Sequence, residues 1–236
     1  MRDYGSIEKQ FCETLGLKRR PVSVTFRASP PERIAKFTDK EPSGCSFWRL
    51  AAAGHTFYTV PSDHYNCAIG SYTHAISLPE ERAQELTDTL NFMTGLGYIK
   101  MEEIPGIRQL PQTPGAVIYA PLGDTPTDPD VVLFAGQPGR LMLLQEAALR
   151  AGVSGQSPLL GRPTCMALPA ALADGVVTSA GCIGNRVYTG LGEDELYLAV
   201  PGKDLTRVAD ELETVAAANV RLMEYHRQRR QLLSTA

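Results

Sequence analysis

Four of the five cysteines have a glycine or a proline within three residues, which is where thiols do chemistry rather than fill a core. Residues 62–75 read "SDHYNCAIGSYTHA" and residues 179–190 read "SAGCIGNRVYTG"; in both, a cysteine is followed by isoleucine and glycine within four residues. Cys45, in "PSGCSFW", and Cys165, in "RPTCMALP", complete the set. Soft thiolates select iron–sulfur clusters, zinc or copper(I) over hard cations. Glycines beside a cysteine let the backbone approach a bulky inorganic group and aim N–H groups at its sulfurs. Gly70, Gly181 and Gly184 are placed for that, and Arg186 could compensate the negative charge of thiolates or of an anionic ligand. No C-x-x-C occurs, and zinc ribbons and ferredoxin-type clusters draw ligands from such close pairs. A shared site therefore requires the chain to bring Cys45, Cys67, Cys165 and Cys182 together from a distance. The plainer alternative is a mixture of buried and free thiols.

Two rival chemistries use the same residues. Cys45 stands just before a helix, where backbone N–H groups favour a thiolate, and Cys182 has an arginine four residues on. Either could be the nucleophile of a metal-free thiol enzyme, in redox or acyl-transfer chemistry, with His64 as base. The plainer reading of His64 is a loop histidine bonded to Asp63. Tyr58, Tyr65, Tyr72 and Tyr188 could instead line the pocket of a non-catalytic ligand-binding module. Dinucleotide fingerprints, the P-loop, HExxH and G-x-S-x-G are all missing from the sequence.

The elements that must position these residues alternate between strand and helix. Asp3 caps a first helix with Ile7, Phe11 and Leu15 on one face, and Cys12 beside that face as a packing residue. "PVSVTF" and "HTFYTV" read as strands, "PPERIAKF" as a short proline-opened helix, and "SGCSFWRLAAAG" as a helix from Ser46 to Gly54. "LPEERAQELTDTLNFM" is a helix with Leu86, Leu90 and Met93 on its stripe, and a glycine- and proline-rich stretch follows. Then come strands "GAVIYAPL" and "DVVLFAG", helix "GRLMLLQEAALRAG", the turn or strand "RPTCMALP", one helical turn in "PAALADG" and strand "ELYLAVP". A long helix over 204–233 closes the chain, burying Leu205, Val208, Leu212 and Val215.

The order repeats: strand, helix, loop with cysteine, strand, helix. This predicts an α/β or α+β fold of two similar mixed αβ halves related by a pseudo-two-fold within one compact domain. The halves are 1–110, carrying Cys45 and Cys67, and 111–236, carrying Cys165 and Cys182. In this alignment "FWRLAAAG" precedes Cys67 as "LMLLQEAALRAG" precedes Cys165.

Composition bounds the rest. The chain has 236 residues, is 43% hydrophobic and carries a net charge of −3, enough for a sizeable core and too little positive charge for nucleic acid as a main partner. The basic run "HRQRRQ" is the solvated end of the last helix. No apolar run reaches bilayer length, and the first residues lack the apolar core of a signal peptide, which predicts a cytoplasmic protein off the membrane. Five cysteines, an odd number, do not suggest a secreted disulfide scaffold.

The ordered set "GCSFWRLAAAG", "HYNCAIGSYTHAI", "PTCMALP" and "SAGCIGNRVYTGL" followed by "DELYLAVP" resembles the prokaryotic family catalogued as domain of unknown function 169, over about 22–212. The resemblance implies that Cys45, Cys67, Cys165 and Cys182 belong to the family pattern and Cys12 does not. It also implies a cytoplasmic, redox or metal-linked role, and no activity. The expectation is thus a cysteine-ligated metal or iron–sulfur protein, with zinc as the alternative metal. Its partner would be a small molecule or a redox protein, bound in a cleft between the halves, and its oligomeric state is left open.

Overall fold

The computed structural model describes residues 2–153 and 159–234. Helix α1 (Tyr4–Leu15) starts where the Asp3 carboxylate accepts the Ser6 N–H at 3.0 Å, and ends at Gly16 in the left-handed conformation. The chain then builds β1 (Val22–Arg27), α2 (Ser46–Ala52), β2 (Phe57–Thr59), α3 (Ala68–Thr73), α4 (Ala83–Gly95) and β3 (Ala116–Pro121). It continues through β4 (Val131–Gly136), α5 (Pro138–Arg150), α6 (Ala167–Asp174), β5 (Val177–Ser179), α7 (Ile183–Thr189), β6 (Leu196–Pro201) and α8 (Leu205–Ser234). The strands form one antiparallel sheet in the order β2-β3-β1-β4-β6-β5.

That order is a palindrome if β1, β2 and β3 correspond to β4, β5 and β6, and the register agrees residue by residue. Val22 faces Pro121 and Arg27 faces Ala116, as Val131 faces Pro201 and Gly136 faces Leu196. Phe57 to Thr59 lie against Tyr119 to Val117 as Val177 to Ser179 lie against Ala199 to Tyr197. At the centre Val22 faces Leu133 and Val24 faces Val131, two contacts that the exchange of β1 and β4 interconverts. A pseudo-two-fold axis therefore passes between Ser23 and Val132. A flanking segment adds a parallel bridge to each edge strand, Lys36 to Tyr58 and Leu160 to Ser179. The expected pair of similar αβ units in one domain is the observed architecture. In the sheet, β3 pairs with β1 and β2, so the repeat turns over between β3 and β4, and a division at 110/111 leaves β3 apart from its partners.

Alternation along the strands feeds two cores. Val132, Phe134, Leu198 and Val200 pack with Phe11 and Leu15 of α1, Leu141 and Leu144 of α5, and Leu205, Val208 and Leu212 of α8. On the other face Val22, Val24, Val117, Tyr119, Val131 and Leu133 pack with Phe47 and Trp48 of α2 and Leu168 of α6. The second face is the one that positions the cysteines.

Several local expectations fail for physical reasons. "PPERIAKF" forms no helix: Ala35 and Phe37 spend their backbone groups on Tyr58 instead. "CIGNRVYT" is helix α7 rather than an open bend, and α6 is two turns rather than one. Helix α4 lies where expected, yet none of its residues is fully buried. Helix α8 buries its expected stripe through Val215, then runs exposed, with Val220 at 67%. Among the described residues, no helix is long and apolar enough to cross a membrane.

Candidate functional site

Each unit delivers two cysteines by the same device. Cys45 immediately precedes α2, and Cys165 lies in the 3-10 turn (Thr164–Met166) that leads into α6. Cys67 and Cys182 are the N-caps of α3 and α7, the short helices that follow the edge strands. The structure thus pairs Cys45 with Cys165 and Cys67 with Cys182, correcting the expected equivalence of Cys67 and Cys165. Exposure follows the same pairing: Cys45 and Cys165 are buried, Cys67 and Cys182 half-buried. The units then cross, α2 packing on α7 and α3 on the turn that carries Cys165.

All four cysteines line one cavity of about 360 Å³ between the units. Cys12 lies on α1, outside it. The floor is thiol-rich, and the outer wall is the stretch from α4 through the 3-10 segment Met101–Gly106, which contributes Leu90, Met93, Tyr98 and Ile104. Leu90 and Met93 of the α4 stripe are only half-buried because they face this space rather than a core, whereas Leu86 lies outside it.

The sulfurs sit among backbone donors. Cys67 Sγ accepts the Gly70 N–H at 3.2 Å, and the N–H groups of Gly44 and Ile69 also favour its thiolate. A Cβ on Gly70 would lie 2.9 Å from that sulfur, so glycine is needed for so close an approach. Cys45 Sγ lies 3.1 Å from the Ser43 hydroxyl. Burial nonetheless dominates. It pushes the Cys45 thiol up to about 11, raises Cys67, and holds Cys165 well above the ordinary thiol value. Charge on neighbouring cysteines adds to each shift, which ties the four together electrostatically. The expected helix-start activation of Cys45 therefore loses to desolvation. Among the described residues, no three His, Cys, Asp or Glu side chains are grouped so as to hold a metal ion.

The remaining expected site residues divide. Gly184 lines the cavity and Gly70 backs its cysteine. Gly181 adopts φ +78°, with no room for a Cβ against Leu191, and shapes the loop rather than the cavity wall. Arg186 is turned away: its guanidinium donates to the carbonyls of Ala180, Gly192 and Glu195, pinning the ends of α7 to the following loop. His64 does not bond Asp63. Its Nε2 lies 2.8 Å from Thr59 Oγ1, while Asp63 accepts the Val60 N–H and pairs with Lys36. His64 is buried off the cavity against His74, ring centroids 5.3 Å apart, and desolvation lowers both pKa values, His74 to about 4. Of the four expected pocket tyrosines, only Tyr188 reaches the lining.

Four lining residues escaped the sequence reading. Arg162, Glu103 and Tyr98 form a polar corner at the cavity wall, and Asn185 of α7 is buried at its base. The Asn185 amide approaches Cys45 and the Tyr197 hydroxyl closely enough to temper the rise in both pKa values, yet among the described residues neither of its polar atoms completes a hydrogen bond. Trp48 Nε1 and the Tyr119 hydroxyl, also buried on this face, are likewise without a partner. Only Asn185 offered a signal, lying three residues after Cys182.

Comparison with known proteins agrees with the resemblance. A protein of Methanocaldococcus jannaschii named "Uncharacterized protein MJ0308" is 26% identical over 218 residues, covering 87% of this chain and 91% of its own length. No solved structure gives a significant match. The family model described as uncharacterised ArCR matches residues 10–211, spanning both units and all four cavity cysteines. The chain belongs to that family, domain of unknown function 169.

Proposed function

We propose that the chain is a cysteine-ligated metal protein, with an iron–sulfur cluster as the group and Cys45, Cys67, Cys165 and Cys182 as its ligands. The observation that carries this reading is the arrival of two thiols from each symmetric unit at one cavity, while the fifth cysteine stays on α1. The donor set is soft, as iron–sulfur chemistry requires. Among the described residues no three such donors are already grouped for a metal ion, so on this reading the four thiols draw together when the group binds. Burial raises the thiol pKa values, so a bound cation would have to displace the protons that burial retains. Backbone N–H groups at Cys67 would temper the charge of a coordinated sulfur. When bound, the cluster supplies electron transfer or a Lewis-acid site. The chain's own part is to exclude water with the α4 wall and to hold a small molecule or redox partner at the opening. Such thiols stay reduced in the cytoplasm, where this reading places the protein.

Anaerobically purified or reconstituted protein should be brown and contain stoichiometric iron and sulfide. Cys→Ser at any of the four positions should lower both, while Cys12→Ser should not. Colourless, iron-free protein after anaerobic reconstitution sinks the proposal. The metal-free thiol enzyme would then be tested by alkylation at neutral pH, where one fast thiol among slow ones is required; the high pKa of Cys45 leaves Cys182 as that reading's better nucleophile.

A further inference from the structure

The outer part of the cavity has a chemistry that the thiol floor does not explain. Its wall is apolar, built from Leu90, Met93, Ile104 and Ile107, with one guanidinium set into it. Arg162 is held from two sides: its Nη2 donates to Glu103 at 2.7 Å, and its Cζ lies 5.1 Å from the Tyr98 ring centroid. Among the described residues its Nε has no partner and is closed to water, while the side chain as a whole is only half-buried. An N–H that donates to nothing is costly to bury, so a small turn of the guanidinium that brings it to an acceptor is favoured. A fixed guanidinium is shaped for a carboxylate, and a volume of about 360 Å³ falls in the range of small-molecule sites.

We propose that the outer chamber binds a small organic monocarboxylate with an apolar body. The carboxylate displaces the half-exposed Glu103 from Arg162, whose guanidinium turns so that Nε donates to one carboxylate oxygen, and the body covers the half-buried stripe of α4 at Leu90 and Met93. This holds the rest of the molecule over the cysteines. A phosphate fits less well, because the single arginine here already faces Glu103 and the surrounding wall is hydrocarbon. The proposal rests on the cavity being the working site, as in the function proposed above, but not on which group the thiols hold.

The test is calorimetric titration of the full chain, as purified and after cluster reconstitution, with benzoate and hexanoate against benzyl alcohol, hexanol and inorganic phosphate. Iron and sulfide are measured on the same samples. The expected result is saturable binding of the carboxylates, at least tenfold tighter than the matched alcohols, with no binding of phosphate. Arg162→Gln should weaken the carboxylates about tenfold or more and leave the alcohols within about twofold, since a hydrogen bond to a charged group is worth about 1.5–3 kcal/mol. Glu103→Gln removes the competing carboxylate and should tighten carboxylate binding about two- to fivefold. If Arg162→Gln fails to fold by circular dichroism, Glu103→Gln decides, and unchanged or weaker binding overturns the proposal. Equal affinity for acids and alcohols, preference for phosphate, insensitivity to Arg162→Gln, or no saturable binding would each overturn it as well; the last would mean that water completes Arg162. Selective binding by iron-free protein would support this inference while the cluster fails. A loaded cluster without binding would do the reverse.

Discussion

The two units share a scaffold and differ at their outer thiols. In the first, Cys67 caps α3, takes the Gly70 N–H, and is backed by the buried pair His64 and His74. Between α3 and β3 the chain then inserts α4 and the Met101–Gly106 turn, which wall the cavity. In the second, Cys182 caps α7 with no side-chain capping bond, and the chain passes from Thr189 to β6 at Leu196 with no such insertion. Arg186 does the structural work there by tying three carbonyls. The same thiol position is thus held by a crowded, desolvated wall on one side and by a single cation on the other. Symmetry places the cysteines; the departures from it determine what else can enter.

Four substitutions sharpen that contrast. The largest effect is expected at Arg186→Met, which leaves three carbonyls of the second unit without their charged donor. Stability in urea should fall by about 3 kcal/mol or more, and an unchanged midpoint would show that the tie is dispensable. Next is the acid response of the first unit. His74 is held near 4 when folded and titrates near its ordinary value when unfolded, so the unfolded chain binds more protons between those limits. Its contribution is therefore complete above about pH 6.5 and is lost as pH falls toward about 4, a decrease of order 3 kcal/mol by linkage. His74→Asn should reduce the pH dependence of the urea midpoint over that window, the buried His64 supplying what remains, and a curve parallel to wild type would refute the assignment.

Third, Gly70→Ala forces a methyl to 2.9 Å from Cys67 Sγ. The sulfur must rotate off its N–H donor, costing about 1 kcal/mol in stability and, under the proposed function, lowering iron content. Full iron loading and wild-type stability together would show that the Cys67 geometry is unimportant. The smallest effect is at Gly184→Ala in α7, where the added methyl meets only Tyr188 at 3.6 Å. Replacing a helical glycine there should stabilise by up to about 1 kcal/mol. A loss of stability would mean that the second unit is packed as tightly as the first.

How much of this was legible in the sequence depends on which residues carried it. The four cavity cysteines were, because glycine and proline mark the turns that precede short helices, and that signal is local. The strand at Val131 to Phe134 was as well, as a short continuous apolar run bounded by turn residues, and so was the stripe of α8, through its period. The correspondence between units was only half visible. The shared Cys, Ile and Gly of Cys67 and Cys182 give the true match. Counting helices instead aligned Cys67 with Cys165, because α4 and α5 are insertions at different places in the repeat. Helix α7 was hidden by two glycines and β-branched residues, which read as a bend until α2 supplies a surface to pack on. The partners of Arg186, His64 and Arg162 are distant or backbone groups, and no spacing announces those.

The central seam has a mechanical consequence. The outer ladders of β1 with β3 and β4 with β6 run six residues each, whereas β1 and β4 meet only over Val22 to Val24 against Val131 to Leu133. Pulled apart between its units, the sheet has only those three pairs to break. The four thiols sit across that join, two on each side. Any group bound by all of them is therefore a rivet as well as a cofactor: removing it would leave the two units joined in the sheet by that short seam alone, and loading it would be felt as resistance to unfolding by both units at once.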